Sequence, residues 1–105
     1  MIEISPSKVV QIIFLAREEG KADTEIAGFI DNLNDDEKAH LTAIAWVGRG
    51  SYEAADYVSA LNNAYTEATV PTSVYLLGMP HLPENLEAGL DAMGVDVAWE
   101  EEDFL

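Results

Sequence analysis

Helix-ending residues recur so closely along this chain that no long element can form, and this punctuation constrains the fold more than any other feature. Ser5 and Pro6 form a helix start: serine caps, and proline at the first helical position gives up an N–H that would have no partner anyway. Ile4 and Val9 occupy the two places of a hydrophobic staple. Val9, Ile12, Ile13 and Ala16 then recur on one helical face, widened by Val10 and Phe14, until Gly20 ends the run. Asp23 or Thr24 can open a second, short helix carrying Ile26, Phe29, Ile30 and Leu33. Asn34 caps a third, with Asp35, Asp36 and Glu37 in its first turn, where the positive end of the helix dipole favours them, and Glu37 at capping-box spacing. Leu41, Ile44 and Ala45 form its apolar stripe, extended by Ala43, Trp46 and Val47, and it stops at Gly48-Arg49-Gly50.

From Ser51 a fourth helix is predicted through Ala54, Val58, Leu61, Tyr65 and Ala68, broken by Thr69-Val70-Pro71. A fifth carries Val74, Leu76 and Leu77 from Thr72 to Gly78. Pro80 and Pro83 bracket a corner at His81-Leu82, after which Leu86, Leu90 and Met93 mark a last helix ending at Gly94. Connections this short make the helices close neighbours, so the sequence predicts one all-α bundle of five or six short helices over residues 1–94. The expected core is Val9, Ile13, Phe14, Phe29, Ile30, Leu33, Leu41, Ile44, Trp46, Val58, Leu61, Leu77, Leu86 and Leu90. Val95, Val97 and Trp99 alternate as in a strand, but no partner strand is visible, and Glu100 to Asp103 are carboxylates in succession. Residues 95–105 therefore read as an acidic tail anchored by Trp99.

The charge balance narrows the partners. Five Lys and Arg stand against 20 Asp and Glu, a formal net charge of −15. All five cations lie in residues 1–49, so residues 50–105 hold acids alone and concentrate the negative field. Such a field repels phosphate backbones and anionic headgroups, which argues against direct nucleic-acid binding and against a membrane-surface role, and it favours a basic protein surface as partner. A homodimer is left open. The absence of cysteine excludes disulfides and thiolate sites. No long apolar run is present, and Met1 to Lys8 lacks the charged-then-apolar order of a signal peptide, so the expected location is the cytoplasm.

Several blocks in order carry a likeness to known proteins. Phe29-Ile30-Asp31-Asn32-Leu33-Asn34-Asp35-Asp36-Glu37, Leu41-Thr42-Ala43-Ile44-Ala45-Trp46-Val47-Gly48-Arg49-Gly50, Thr72-Ser73-Val74-Tyr75-Leu76-Leu77-Gly78-Met79-Pro80 and Leu86-Glu87-Ala88-Gly89-Leu90 are the main ones. With Ile4-Ser5-Pro6 and Ala16-Arg17-Glu18, they make the chain from about residue 4 to 94 resemble a family of small, acidic, helical bacterial proteins classed as a domain of unknown function and common in alphaproteobacteria. The resemblance implies a helical fold and no assigned chemistry. The family often has a longer polar loop where this chain has Gly20 to Ala22, and usually an apolar residue where it has His81.

Candidate chemistry is sparse. Glu37 and His40 have the Glu-x-x-His spacing of di-iron bundles, but such a site needs a second pair and more inward carboxylates, so His40 is expected to be solvated beside its acidic first turn and no metal or other cofactor is predicted. Asn32, Asn34 and Asp36 alternate like calcium ligands, yet Glu37 and Ala43 stand where an EF-hand loop needs Gly and Glu. No nucleophile stands beside a histidine, so no catalytic residue is assigned. The Gly48-Arg49-Gly50-Ser51 turn offers an alternative, a small-anion-binding or enzymatic site using Arg49 and Ser51; against it, Arg49 can simply neutralise the end of its helix. The expected function is an acidic cytoplasmic interaction or regulatory module, with Trp99, Phe104 and Leu105 as apolar anchors within an acidic rim. A charge mimic or immunity-type inhibitor of a basic, nucleic-acid-binding protein is the other reading.

Overall fold

The computed structural model of the chain describes residues 3–17 and 23–95, and these fold as six α-helices with no strand among them. They are α1 (Pro6–Arg17), α2 (Asp23–Asp31), α3 (Asp35–Arg49), α4 (Tyr57–Thr66), α5 (Thr72–Leu77) and α6 (Leu82–Ala92), with one 3-10 turn, Ala54–Asp56, leading into α4. The predicted all-α bundle is what forms. Trp99, Phe104 and Leu105, the anchors expected of the tail, lie outside the described residues.

α3 is the centre of the fold. It packs most extensively on α6 and α4 and touches α5, while α1 lies on α6 and α2 bridges α1 and α5. Every residue from Ala39 to Val47 is buried, so a helix expected to show one apolar stripe is covered nearly all round. Its start is fixed by the capping box: Asn34 Oδ1 accepts from the Glu37 N–H at 2.7 Å, and Glu37 Oε1 accepts from the Asn34 N–H at 3.0 Å. Lys8 of α1 reaches the other oxygen of Glu37 at 2.5 Å. These two donors, Lys8 first, hold the Glu37 carboxyl below its ordinary range.

Both α3 and α6 end in the same device. Gly50 and Gly94 take left-handed φ values of 91° and 84°. In α3 the Ser51 N–H returns to the Trp46 carbonyl and the Gly50 N–H to that of Val47; in α6 the Val95 N–H returns to Leu90 and the Gly94 N–H to Asp91. Val95 therefore completes a helix cap and packs against the core, which accounts for an apolar residue that the sequence placed in a strand-like tail.

Gly48 is not a turn residue. It lies in the last turn of α3 where that helix crosses α6, and a Cβ on it would fall 1.6 Å from the Asn85 carbonyl oxygen. Across the same crossing a Cβ on Gly89 would fall 2.1 Å from the carbonyl oxygen of Ile44. Two backbones thus meet directly, each through a glycine one turn from the residue its counterpart touches.

The expected core holds at Val9, Ile13, Ile30, Leu33, Leu41, Ile44, Trp46, Leu86 and Leu90, while Phe14, Phe29, Leu61 and Leu77 are half-buried at its edge. Val58 is a correction: it is 58% exposed. α4 starts later than predicted, after the 3-10 turn, and presents Tyr57, Ala60 and Ala64 to the interior. Small alanines there let α4 come close to α3, and the larger Val58 and Tyr65 are turned outward.

Candidate functional site

Two places bring chemistry-bearing side chains together. The first is sealed. His40 is buried at 1% exposure, not solvated beside the first turn of α3 as its neighbours in sequence suggest, because α3 has helices on almost every side. Its Nδ1 lies 2.6 Å from the hydroxyl of Tyr57 on α4, and its Nε2 faces the Glu3 carboxylate at 3.5 Å without forming a hydrogen bond. Burial, with the charges of Tyr65 and Glu3, pushes the Tyr57 phenol far above its ordinary range, so Tyr57 meets the ring as a neutral hydroxyl. Tyr57 is 3% exposed, and neither ring lines the cleft described below; the Nδ1–hydroxyl contact lies inside the core and leaves His40 Nε2 without a hydrogen-bond partner. Glu37, the other half of the Glu-x-x-His pattern, is committed to Asn34 and Lys8, and the described residues bring no group of three metal-ligating side chains together.

The second place is open. α3, the end of α4, the loop 67–71 and α5 enclose a cleft with two adjoining chambers. The first, about 170 Å³, is lined by Thr42 and Trp46 from α3, Ala64 and Ala68, Glu67, Thr69 and Val70 from the loop, and Thr72 and Tyr75 at α5. The second, about 290 Å³, shares Thr42, Ala64, Ala68 and Thr72 and adds Asp35, Lys38, Ala39 and Tyr65.

Trp46 organises the first chamber. It is 8% exposed, its indole Nε1–H donates to the Tyr75 hydroxyl at 2.7 Å, and the two rings stand at 84° with centroids 6.3 Å apart. Behind it Tyr52 stacks on the indole at 5.9 Å and accepts a hydrogen bond from Asn63 of α4. The aromatic wall is thereby tied to three elements and cannot rotate freely. α5 is in turn held to α2 by the Ser73 hydroxyl, which donates to Asp31 at 2.7 Å.

The mouth of the cleft carries the exposed apolar surface. Val70 and Tyr75, which line the first chamber, are exposed, and Tyr65 stands at the rim of the second. Carboxylates surround this patch: Glu67 in the first chamber, Asp35 in the second, and Asp36 accepting the Tyr65 hydroxyl, a bond that pushes that phenol up to about 12. Lys38 is the one cation lining either chamber, and it lines only the second. Sequence reading named Trp46 as a core residue and missed its exposed edge as a wall.

The turn at Arg49 and Ser51 is built differently. The N–H groups of Gly50 and Ser51 are spent on the helix cap, and the Arg49 Nε donates to the Ser51 hydroxyl at 3.0 Å. An anion arriving there would compete with those carbonyls for the same amides. Two other described cations are paired with α6 and α3: Arg17 with Glu87 at 3.3 Å and Glu84 at 3.8 Å, and Lys8 with Glu37.

A family described as a protein of unknown function, DUF3775, has a model that matches residues 23–95. No curated protein and no solved structure matches the chain. The matched segment begins with α2, so it contains every residue of the cleft and leaves out α1. Among the described residues no helix is long and apolar enough to cross a membrane.

Proposed function

The chain belongs to the DUF3775 family, and from its own geometry we propose a non-enzymatic protein-interaction module that docks a basic, apolar-faced segment of a partner in the cleft between α3, α4 and α5. The observation that carries this reading is the pairing of exposed apolar side chains in the cleft, Val70 and Tyr75, with a rim of carboxylates on a chain of net charge −15. Apolar surface supplies affinity, and the acidic rim selects a basic partner and speeds its arrival. A catalytic reading finds no support in the cleft, where hydroxyls of threonine have no histidine beside them, both described histidines lying elsewhere.

The test uses a helical peptide with leucine on one face and arginine on the other, and a counterpart with glutamate in place of arginine. The arginine peptide should bind and weaken steadily as salt rises, and the glutamate peptide should not bind. Val70→Glu, at a side chain 49% exposed in the first chamber, should leave the melting temperature nearly unchanged and reduce binding of the arginine peptide several-fold. Equal affinity for the two peptides, or full binding by the Val70 variant, would contradict the proposal.

A further inference from the structure

Resting on that reading, we infer that the aromatic chamber is a guanidinium site: it takes one arginine side chain of the docked segment against Trp46 and Tyr75, with Glu67 as its counter-charge. The first argument is polarity. The chamber's polar lining is Thr42, Glu67, Thr69 and Thr72, so a carboxylate and hydroxyls face a ligand there, and no cation does. The Thr42 hydroxyl donates to the Lys38 carbonyl at 3.0 Å, which commits its proton and leaves its oxygen, with Glu67, Thr69 and Thr72, as an acceptor for an incoming donor.

The second argument is the aromatic pair. The indole N–H of Trp46 is consumed by Tyr75, so the wall offers π surface and a phenol, not an indole donor that would repel a cation. A guanidinium is planar, weakly hydrated and rich in donors, and it lies on aromatic surface more readily than an ammonium does. The third argument is size. A chamber of about 170 Å³ is close to the roughly 150 Å³ that accommodates a benzene-sized group, which matches one flat side-chain end and its last methylenes. Lys38 in the adjoining chamber would repel a second cation, which fixes arginine to the Glu67 side.

The experiment is a double-mutant cycle by calorimetry. The leucine–arginine peptide and a copy with citrulline, the neutral isostere, at every arginine are titrated into the full chain and into Glu67→Gln. A second variant, Asp91→Asn, removes an exposed carboxylate from α6 and controls for bulk charge. Glu67→Gln should weaken the arginine peptide by about five- to tenfold, in the range of a partly desolvated charge pair, and leave the citrulline peptide unchanged. Asp91→Asn should change either peptide by less than about twofold. If the arginine peptide binds and Glu67→Gln acts no more strongly than Asp91→Asn, the guanidinium site is wrong while the docking reading stands. If neither peptide binds the unaltered chain, both fall. N-acetylarginine methylamide separates a side chain from a free organic cation: binding of that fragment without binding of the peptide would make the occupant a free cation and overturn the inference as stated.

Discussion

Gly89→Ala should destabilise the protein by about 3 kcal/mol or more, a very large effect for the addition of one methyl group. The added carbon would lie 2.1 Å from the Ile44 carbonyl oxygen and 2.8 Å from the Ile44 Cγ2, and the nearer of these is backbone that has no rotamer to give. Relief requires α3 and α6 to separate, and theirs is the most extensive helix contact in the fold. Gly48→Ala should be at least as severe, because its new carbon would meet Asn85 backbone at 1.6 Å. Gly28 is the matched control. It lies within α2, exposed, with nothing within 4 Å of a built Cβ, so alanine there should stabilise by about 0.5 to 1 kcal/mol through helix propensity. Thermal unfolding of the three variants checks the sign of each. A domain of this size shifts by several degrees per kcal/mol, so the drop at Gly89 should exceed about 10 °C while Gly28→Ala rises. Three shifts of the same sign would mean that the α3–α6 crossing is looser than its backbone contact implies.

Trp46→Ala should cost about 3 to 5 kcal/mol, a large share of the roughly 5 to 15 kcal/mol that holds a domain together. The indole fills the space between α3 and α5, bonds Tyr75 and supports Tyr52, so its loss opens a cavity that joins the cleft and frees both tyrosines. Trp46→Phe keeps most of the packing and loses the 2.7 Å hydrogen bond, and should cost about 1 to 2 kcal/mol. Urea unfolding of the two variants should therefore rank them alanine well below phenylalanine below the unaltered chain. A midpoint unmoved by Trp46→Ala would show that the wall of the cleft carries no structural load.

Where sequence signals are local, they read through to the structure. Asn34 and Glu37 cap α3 as their spacing predicts, Ser5 precedes α1 and Pro6 is its first residue, and the glycines at 50 and 94 end their helices in left-handed turns. What failed was pattern that depends on neighbours. On α4 the large side chains Val58 and Tyr65 suggested the buried face, but the interior is reached by Ala60 and Ala64, since tight packing against α3 rewards small residues that hydropathy counts for little. His40 looks solvated from its sequence context and is buried, because burial follows from how many helices surround α3 and not from the polarity of one turn. Gly48 reads as a turn residue beside Gly50, yet its requirement comes from Asn85 on another helix. The cleft was illegible for the same reason: it joins residues from Asp35 to Tyr75 across three helices and a loop, and none of them forms a motif with its sequence neighbours. In the sequence Val70 reads only as part of a helix break and Val74 only as a position on the fifth helix; their exposure emerges once the helices are placed.

Docking at the α3–α4–α5 cleft is the central claim, and amide chemical-shift mapping with the leucine–arginine peptide tests it most directly. The indole N–H of Trp46 reports on the chamber because it is bonded to Tyr75 at the mouth, and the backbone amides of Glu67 to Tyr75, proline aside, report on the loop and α5. Saturable shifts concentrated on the Trp46 indole and on residues 67–75 are the predicted result. Shifts spread over the acidic residues of α6, with the Trp46 indole unmoved at saturating peptide, would contradict it.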